Sequence, residues 1–153
     1  MQDVKVYSLS GEGQPQISPH FKVREFACRD GSDPVFVAPR LVEVLEAVRA
    51  HFGAPVTVTS GYRTVSYNRT VSGSSAASQH CNGLAADIQV EGVSPAAVAD
   101  YAGQLLPGTG GIGLYGSFVH IDVRPGPSRW KGLAGWRASP RPWSAEPSPW
   151  WGC

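Results

Sequence analysis

The sequence has little charge, no long apolar run, and no apolar stretch near its start that would predict a signal peptide. Only 16% of its 153 residues are charged and the formal net charge is +1, so electrostatics give no reason to expect nucleic acid as the main partner. No apolar run approaches the roughly 20 residues that a transmembrane helix needs. We therefore expect no nucleic-acid partner and no membrane insertion.

Cysteine is also scarce. Cys28, Cys81 and Cys153 are widely spaced and odd in number, which does not make a disulfide framework. The absence of a Cys-x-x-Cys pair excludes a cysteine-rich zinc knuckle. We expect three free thiols. Cys81 follows His80 directly, so it is alternatively a spare thiol near a metal, although adjacent residues of a strand point to opposite faces.

The sequence does contain clear helix and strand patterns. Residues 39–52 have apolar residues at helical spacing, with Pro39 at the start and Gly53 just past the end. A second helix, over residues 94–106, begins at Ser94-Pro95. Strands are predicted at residues 56–60, 84–90, 111–115 and 118–123, with a hairpin between the last two and a short helix ending at Asn68. These patterns predict an α+β fold: a small, mainly antiparallel sheet with helices packed on it.

The composition changes towards the C-terminus. Residues 125–153 are rich in proline and contain all five tryptophans, with no clear periodicity. We predict one domain over residues 1–132 and a Trp/Pro-rich C-terminal tail over residues 133–153. The tail either packs on its own domain or serves as a contact segment, since tryptophan is typical of binding surfaces.

The chain has only four histidines, at positions 20, 51, 80 and 120. His51 lies in the last turn of the first predicted helix, where its charge is favourable to the helix dipole. His80 ends a polar loop, and Asp87 follows inside an apolar strand. A buried carboxylate at Asp87 is costly unless it is paired or bound to metal.

The segment around His120 is a strand with a polar face. Alternation places His120, Asp122 and Arg124 on one face and Val119, Ile121 and Val123 on the other. A single histidine in a strand is usually a core or surface residue. Two such histidine segments together with Asp87 instead favour a zinc site, because a hydrolytic zinc has three protein ligands and one open position.

Three segments resemble a known family. SQHCNGLAAD, residues 78–87, matches the Ser-x-His-x-x-Gly-x-Ala-x-Asp signature of zinc D-alanyl-D-alanine carboxypeptidases and L-alanyl-D-glutamate endolysins. TSGYRT, followed by Asn68, and GIGLYGSFVHIDVR resemble the upstream segment and the last strand of that family. The resemblance covers roughly residues 5–132 and is closest to the small single-domain members common in phage and in phage-derived bacterial genes. It implies a Hedgehog/DD-peptidase-like fold.

The resemblance also implies roles for individual residues. The zinc ligands would be His80, Asp87 and His120, and Arg63 would hold substrate and stabilise the developing oxyanion. The alternative for Arg63 is a helix-capping or surface arginine. Residues Ser78, Tyr62 and Ser117 are expected on the substrate-binding side. Ser78 is also expected to set the loop before His80, and its alternative is an ordinary loop serine.

One position departs from the family pattern. Many members have a glutamate or aspartate three residues before the last histidine as general base, and this chain has Ser117 there. The nearest carboxylate on the correct strand face is Asp122. We therefore expect Asp122 to be either the general base or the hydrogen-bond partner of a metal ligand.

Together these features predict a zinc peptidase that cuts stem or cross-bridge peptides of bacterial peptidoglycan, as a D,D-carboxypeptidase or endopeptidase. With no signal peptide expected, it would reach the cell wall by lysis, in a phage particle or through a dedicated export machine. Two alternatives remain open. One is a zinc-retaining but catalytically weak cell-wall-binding module. The other is a structural component of a phage particle, with the C-terminal tail as its contact.

Overall fold

The computed structural model describes residues 3–12, 16–71 and 78–132. The strands are β1 (Lys5–Ser8), β2 (Gln16–Ser18), β3 (Phe21–Lys22), β4 (Pro34–Val37), β5 (Val56–Ser60), β6 (Ala85–Val90), β7 (Gly111–Leu114), β8 (Val119–Asp122) and β9 (Ser128–Lys131). The α-helices are α1 (Leu9–Glu12), α2 (Pro39–Phe52), α3 (Val65–Asn68) and α4 (Pro95–Leu105), and the 3-10 helices are η1 (Val23–Phe26) and η2 (Gln79–Asn82).

Helix α2 has the bounds that the sequence predicts. Pro39 stands in its first turn, where a missing N–H costs nothing. Gly53 ends it in the left-handed conformation with φ 60°, and its N–H donates to the carbonyl of Arg49 at 3.0 Å. The buried face is formed by Leu41, Val42, Val44, Leu45 and Val48.

Helix α4 is also confirmed. The Ser94 hydroxyl accepts a hydrogen bond from the backbone N–H of Ala97 at 3.2 Å, which caps the helix start, and Pro95 follows in the first turn. Val98, Ala99 and Ala102 are buried.

The central sheet has five strands in the order β5-β6-β8-β7-β9. All neighbouring pairs are antiparallel except β7 and β9, which are parallel. The α+β class with a mainly antiparallel sheet is therefore confirmed. In β6 and β8, Asp87 lies directly opposite His120, so pairing alone brings these two residues together.

Alternation along the strands separates two faces of this sheet. Ile88, Ile112 and Ile121 belong to one hydrophobic cluster with the apolar residues of α2 and α4. On β8, Val119 and Ile121 belong to that cluster, whereas His120 and Asp122 do not and make polar contacts. The predicted alternation of β8 is confirmed, and its polar face is available for a site.

Some strands were not predicted. The N-terminal residues, for which no strand is predicted, form β1, which pairs with β4, and β2, which pairs with β3. The segment after Arg124, expected to lack regular structure, forms β9. Arg129 of β9 is buried and donates to the carbonyls of Leu106 at 2.7 Å and Thr109 at 3.1 Å, which ties this strand to the end of α4.

Parts of the predictions lie outside the described residues. These are the tail at residues 133–153, including Cys153, and residues 72–77 of the loop before His80. The boundary between domain and tail therefore stays a prediction. Among the described residues, Cys28 and Cys81 are free thiols, as expected. No helix in this part of the chain combines the length and apolar character that crossing a membrane requires.

Candidate metal centre

The three predicted metal ligands converge. His80 Nε2 lies 3.2 Å and His120 Nδ1 lies 3.1 Å from the same oxygen, Asp87 Oδ1. One donor atom from each residue lies within 4.8 Å of the other two, and all three side chains are buried. Cys81 is not part of this group. Within the described chain, two imidazoles and one carboxylate thus meet at a single point.

His80 is held by backbone geometry. It lies in η2, where its N–H donates to the Ser78 hydroxyl at 3.2 Å. Its Nδ1 lies 2.8 Å from the carbonyl oxygen of Gly61, which can only accept, so Nδ1 carries a proton. Gly83 ends η2 with φ 74°, and a Cβ there would lie 2.7 Å from the Phe36 carbonyl oxygen. The turn thus requires glycine and directs Nε2 of His80 towards Asp87.

His120 is held by an ionised side chain. Its Nε2 lies 2.7 Å from Asp122 Oδ2, which directs Nδ1 at Asp87. Asp122 in turn accepts hydrogen bonds at Oδ1 from the Gly111 N–H at 2.9 Å and from Arg124 Nε at 2.8 Å. A carboxylate on the far nitrogen is the usual way in which a metal-binding histidine is oriented.

Asp122 is expected to be either the general base or the hydrogen-bond partner of a metal ligand, and its contacts distinguish these two roles. Its side chain is 0% exposed, and Arg124 binds both of its oxygens, with Nη2 at 2.7 Å from Oδ2. A general base needs a lone pair within reach of water or substrate. The geometry therefore favours Asp122 as the partner that orients His120.

Arg63 contacts the same cluster from the other side. Its Nη2 lies 3.3 Å from Asp87 Oδ2, its Nε 3.0 Å from the Ser60 hydroxyl, and its Nη1 3.1 Å from Asn68 Oδ1. The residue is only 8% exposed. The alternatives of a surface or helix-capping arginine are therefore wrong, because the guanidinium is buried against Asp87 and Thr64 caps α3.

The two histidines have opposite electrostatic environments. Burial lowers the pKa of His80, and hydrogen bonding to Asp87 opposes this only in part. Burial also acts to lower the pKa of His120, but hydrogen bonds and charges from Asp122 and Asp87 outweigh it and raise the pKa to about 9. Burial acts to raise the pKa of Asp87, but its contacts with His120 and His80 outweigh burial and lower the pKa. At neutral pH the metal-free protein thus holds His120 as an imidazolium between two carboxylates.

The expected substrate-side residues differ in their exposure and contacts. The Tyr62 ring packs against Phe36 with 5.1 Å between centroids and is partly buried. Ser117 is exposed in the turn between β7 and β8, and its carbonyl accepts a hydrogen bond from Gln89 Nε2 at 2.9 Å. Ser78 sets the turn before His80. Their contacts with substrate stay predictions.

One residue at the site was missed by the sequence analysis. The composition places Trp130 with the C-terminal tryptophans, whereas in the structure it lies on β9 with its ring centroid 5.0 Å from that of His120. The signal available was the short run Ser-Arg-Trp-Lys between Pro127 and Gly132, which is long enough for one strand.

Comparison with known proteins agrees with this geometry. The sequence profile of the Peptidase M15 family matches residues 19–122, more than half of the chain, and this match includes all three converging residues. A comparison with curated proteins found no match. Peptidases of the M15 family are metal-dependent, which is consistent with a His-Asp-His cluster. The chain belongs to the peptidase M15 family.

Proposed function

We propose that this protein is a zinc-dependent peptidase that hydrolyses a peptide bond in the stem or cross-bridge peptides of bacterial peptidoglycan, as a D,D-carboxypeptidase or endopeptidase. The observation that carries the proposal is the convergence of His80, Asp87 and His120 within 4.8 Å in a chain of the M15 family.

The donor set fits zinc. Two imidazole nitrogens and one carboxylate oxygen make up the three-ligand set of a catalytic zinc site, which leaves a coordination position for water or substrate. When bound, zinc would supply a polarised substrate carbonyl and a lowered pKa for water. His80 Nδ1 donates to the Gly61 carbonyl, so in the neutral ring the other nitrogen, Nε2, has the lone pair that a metal would require.

The remaining side chains have separate tasks. Asp122 holds His120 in one ring orientation. Arg63 holds Asp87 through Nη2 and places a positive charge beside the cluster. A guanidinium has five N–H donors, so Arg63 retains capacity to donate to a substrate oxygen as negative charge develops on it.

The decisive experiment compares histidines inside and outside the cluster. His80→Ala should lose bound zinc and hydrolysis together, whereas His51→Ala should keep both, because His51 stacks on Tyr101 with 3.8 Å between ring centroids and lies outside the cluster. Elemental analysis of purified protein and mass spectrometry of digested peptidoglycan give the two readouts. Hydrolysis by a zinc-free His80→Ala variant would refute the mechanism.

A second function is favoured by Ser117 and Asp122. The family's usual acid position holds an exposed serine, and Asp122, the carboxylate on the polar face of the same strand, is bound by Arg124 and His120. A zinc-retaining module that binds cell wall without cutting it accounts for both observations. Co-sedimentation with purified cell walls and mass spectrometry of the released products, with and without chelator, separate the two, because a binding module sediments with the walls but releases neither amino acid nor peptide.

The place of action and the partners are part of the same proposal. The substrate lies in the cell wall, and residues 133–153 are proposed to contact a phage or export-machine component. Deletion of residues 133–153 should then leave peptide hydrolysis unchanged and abolish that contact. A loss of solubility would instead indicate that the tail packs on its own domain.

A further inference from the structure

The ring of His120 has a neighbour that the proposed mechanism does not use. The Trp130 indole lies 5.0 Å from the His120 imidazole, centroid to centroid, at an interplanar angle of 49°. The Arg124 guanidinium lies over the same indole, 5.5 Å from its centroid. Trp130 thus contacts both the candidate ligand and the arginine that binds the ligand's partner, Asp122.

The position of Trp130 depends on a missing side chain. Gly113 of β7 lies opposite Trp130 of β9, and a Cβ on Gly113 would lie 2.5 Å from Cε2 and Nε1 of the indole. The indole therefore occupies the space that a side chain of β7 would fill. Its Nε1 donates to the Tyr115 hydroxyl at 3.1 Å, which fixes the ring in its plane.

Arg124 holds the carboxylate of Asp122 through hydrogen bonds to both of its oxygens. Its backbone N–H and Nε reach Asp122 Oδ1 at 3.1 and 2.8 Å, and its Nη2 reaches Oδ2 at 2.7 Å. Oδ2 is the oxygen that contacts His120 Nε2. The side chain of Arg124 is 27% exposed, and its guanidinium also lies over the indole in a cation–π contact.

We propose that Trp130 and Arg124 are positioning residues for His120: the indole supports the imidazole directly, and the arginine holds it through Asp122, so that Nδ1 stays directed at Asp87. The inference rests on the proposed metal role of His120. A half-turn of the ring about its Cβ–Cγ bond would remove Nδ1 from the cluster. A side chain that is already held in its binding orientation loses less conformational entropy when the metal binds, so the metal binds more tightly.

The test measures metal affinity and ring orientation rather than activity alone. Trp130→Ala and Arg124→Met should each weaken zinc binding by about 10- to 100-fold, measured against a chromogenic chelator. Nitrogen-15 NMR in the presence of chelator should show a His120 ring that exchanges between orientations in both variants. Trp130→Phe should restore a single orientation and most of the affinity, because an aromatic ring remains on the imidazole.

Tyr101→Ala is the matched control. It removes an aromatic ring from α4 that stacks on His51, and neither residue belongs to the cluster, so it should leave zinc affinity unchanged. If Trp130→Ala fails to fold, Arg124→Met carries the test alone. Zinc affinity and a His120 spectrum equal to those of the unchanged protein in every folded variant would overturn the inference. Zinc retention by His80→Ala would instead overturn the proposed function, so the two failures are distinguishable.

Discussion

His80 and His120 approach the same oxygen of Asp87 from two differently built regions. His80 lies in the turn η2 and is held by a backbone carbonyl, that of Gly61. His120 lies in strand β8 and is held by the ionised side chain of Asp122. One region orients its histidine with a neutral dipole, and the other does so with a charge.

The difference has an electrostatic consequence. A neutral carbonyl does not compensate the cost of burying an imidazolium, so the pKa of His80 is lowered, mainly by burial. Two carboxylates more than compensate that cost at His120 and raise its pKa to about 9. The two imidazoles of the cluster therefore differ in protonation state before any metal binds. His80 is neutral, whereas His120 would have to release a proton to bind a metal.

The largest effect on stability and metal binding is expected when Asp87 is replaced, because both histidines contact its carboxylate. Asp87→Asn leaves the charge of Arg63 buried without its carboxylate, which should lower the free energy of unfolding by about 3–5 kcal/mol. Zinc binding should be lost as well. Urea denaturation in chelator and calorimetric zinc titration measure the two effects. The prediction fails if the variant binds zinc as tightly as the unchanged protein.

The pH dependence of stability should separate the two histidines. The pKa of His120 in the folded protein, about 9, lies above the ordinary value of 6.5. Its contribution is therefore complete below pH 6.5 and is lost as pH rises through 9, by about 3 kcal/mol in total. His80 acts in the opposite direction, because its lowered pKa makes the folded state lose stability as pH falls below 6.5. Chemical denaturation in chelator at pH 5 to 10 measures both slopes.

The variant Asp122→Asn tests which group raises the pKa of His120. Asp122→Asn removes one of the two carboxylates at His120 and should flatten the alkaline loss while leaving the acid side unchanged. An alkaline slope equal to that of the unchanged protein would mean that Asp122 does not hold the proton on His120.

The same change should weaken metal binding by a smaller amount than loss of Asp87. Asp122→Asn keeps the shape of the side chain but removes the charge that orients His120 Nε2, so zinc affinity should fall about 10- to 100-fold. Competition with a chromogenic chelator measures it. A complete loss of hydrolysis with unchanged zinc affinity would instead indicate that Asp122 is the general base.

The smallest effect is expected on the His80 side. Ser78→Ala removes the hydroxyl that caps η2 and should cost about 1 kcal/mol of stability. Zinc affinity should change little, because the Gly61 carbonyl still orients the ring. Thermal unfolding and zinc competition on one preparation measure both. A loss of affinity comparable to that of Asp122→Asn would show that the two histidines are held alike.

Local patterns explain what could be predicted. Helix α2 is bounded by Pro39 and Gly53, which act on the backbone next to them. The alternation in β8 separates His120 from Ile121 through strand geometry alone. The SQHCNGLAAD motif identified His80 and Asp87, and the strand pattern identified His120, and the structure brings all three together.

Long-range contacts account for what could not be predicted. The strands β1 and β9 have only four residues each, too few for a local pattern to predict them, and they are paired with β4 and β7. In the sequence, Trp130 is one of five tryptophans in a proline-rich segment. Only the pairing of β9 with β7 brings its ring next to that of His120. Its position depends on an absent side chain at Gly113, which no local pattern reveals.

By itself, the sequence determined helices α2 and α4, strands β5 to β8 and the set of candidate metal-binding side chains, because periodicity, capping and donor chemistry are properties of neighbouring residues. Tertiary structure alone decided how each ligand is held and charged. The burial of Asp122 by Arg124, the lowered pKa of His80 and the raised pKa of His120 arise from groups that packing brings together. Electrostatic energies depend on distance and burial, and both are set only once the chain has folded.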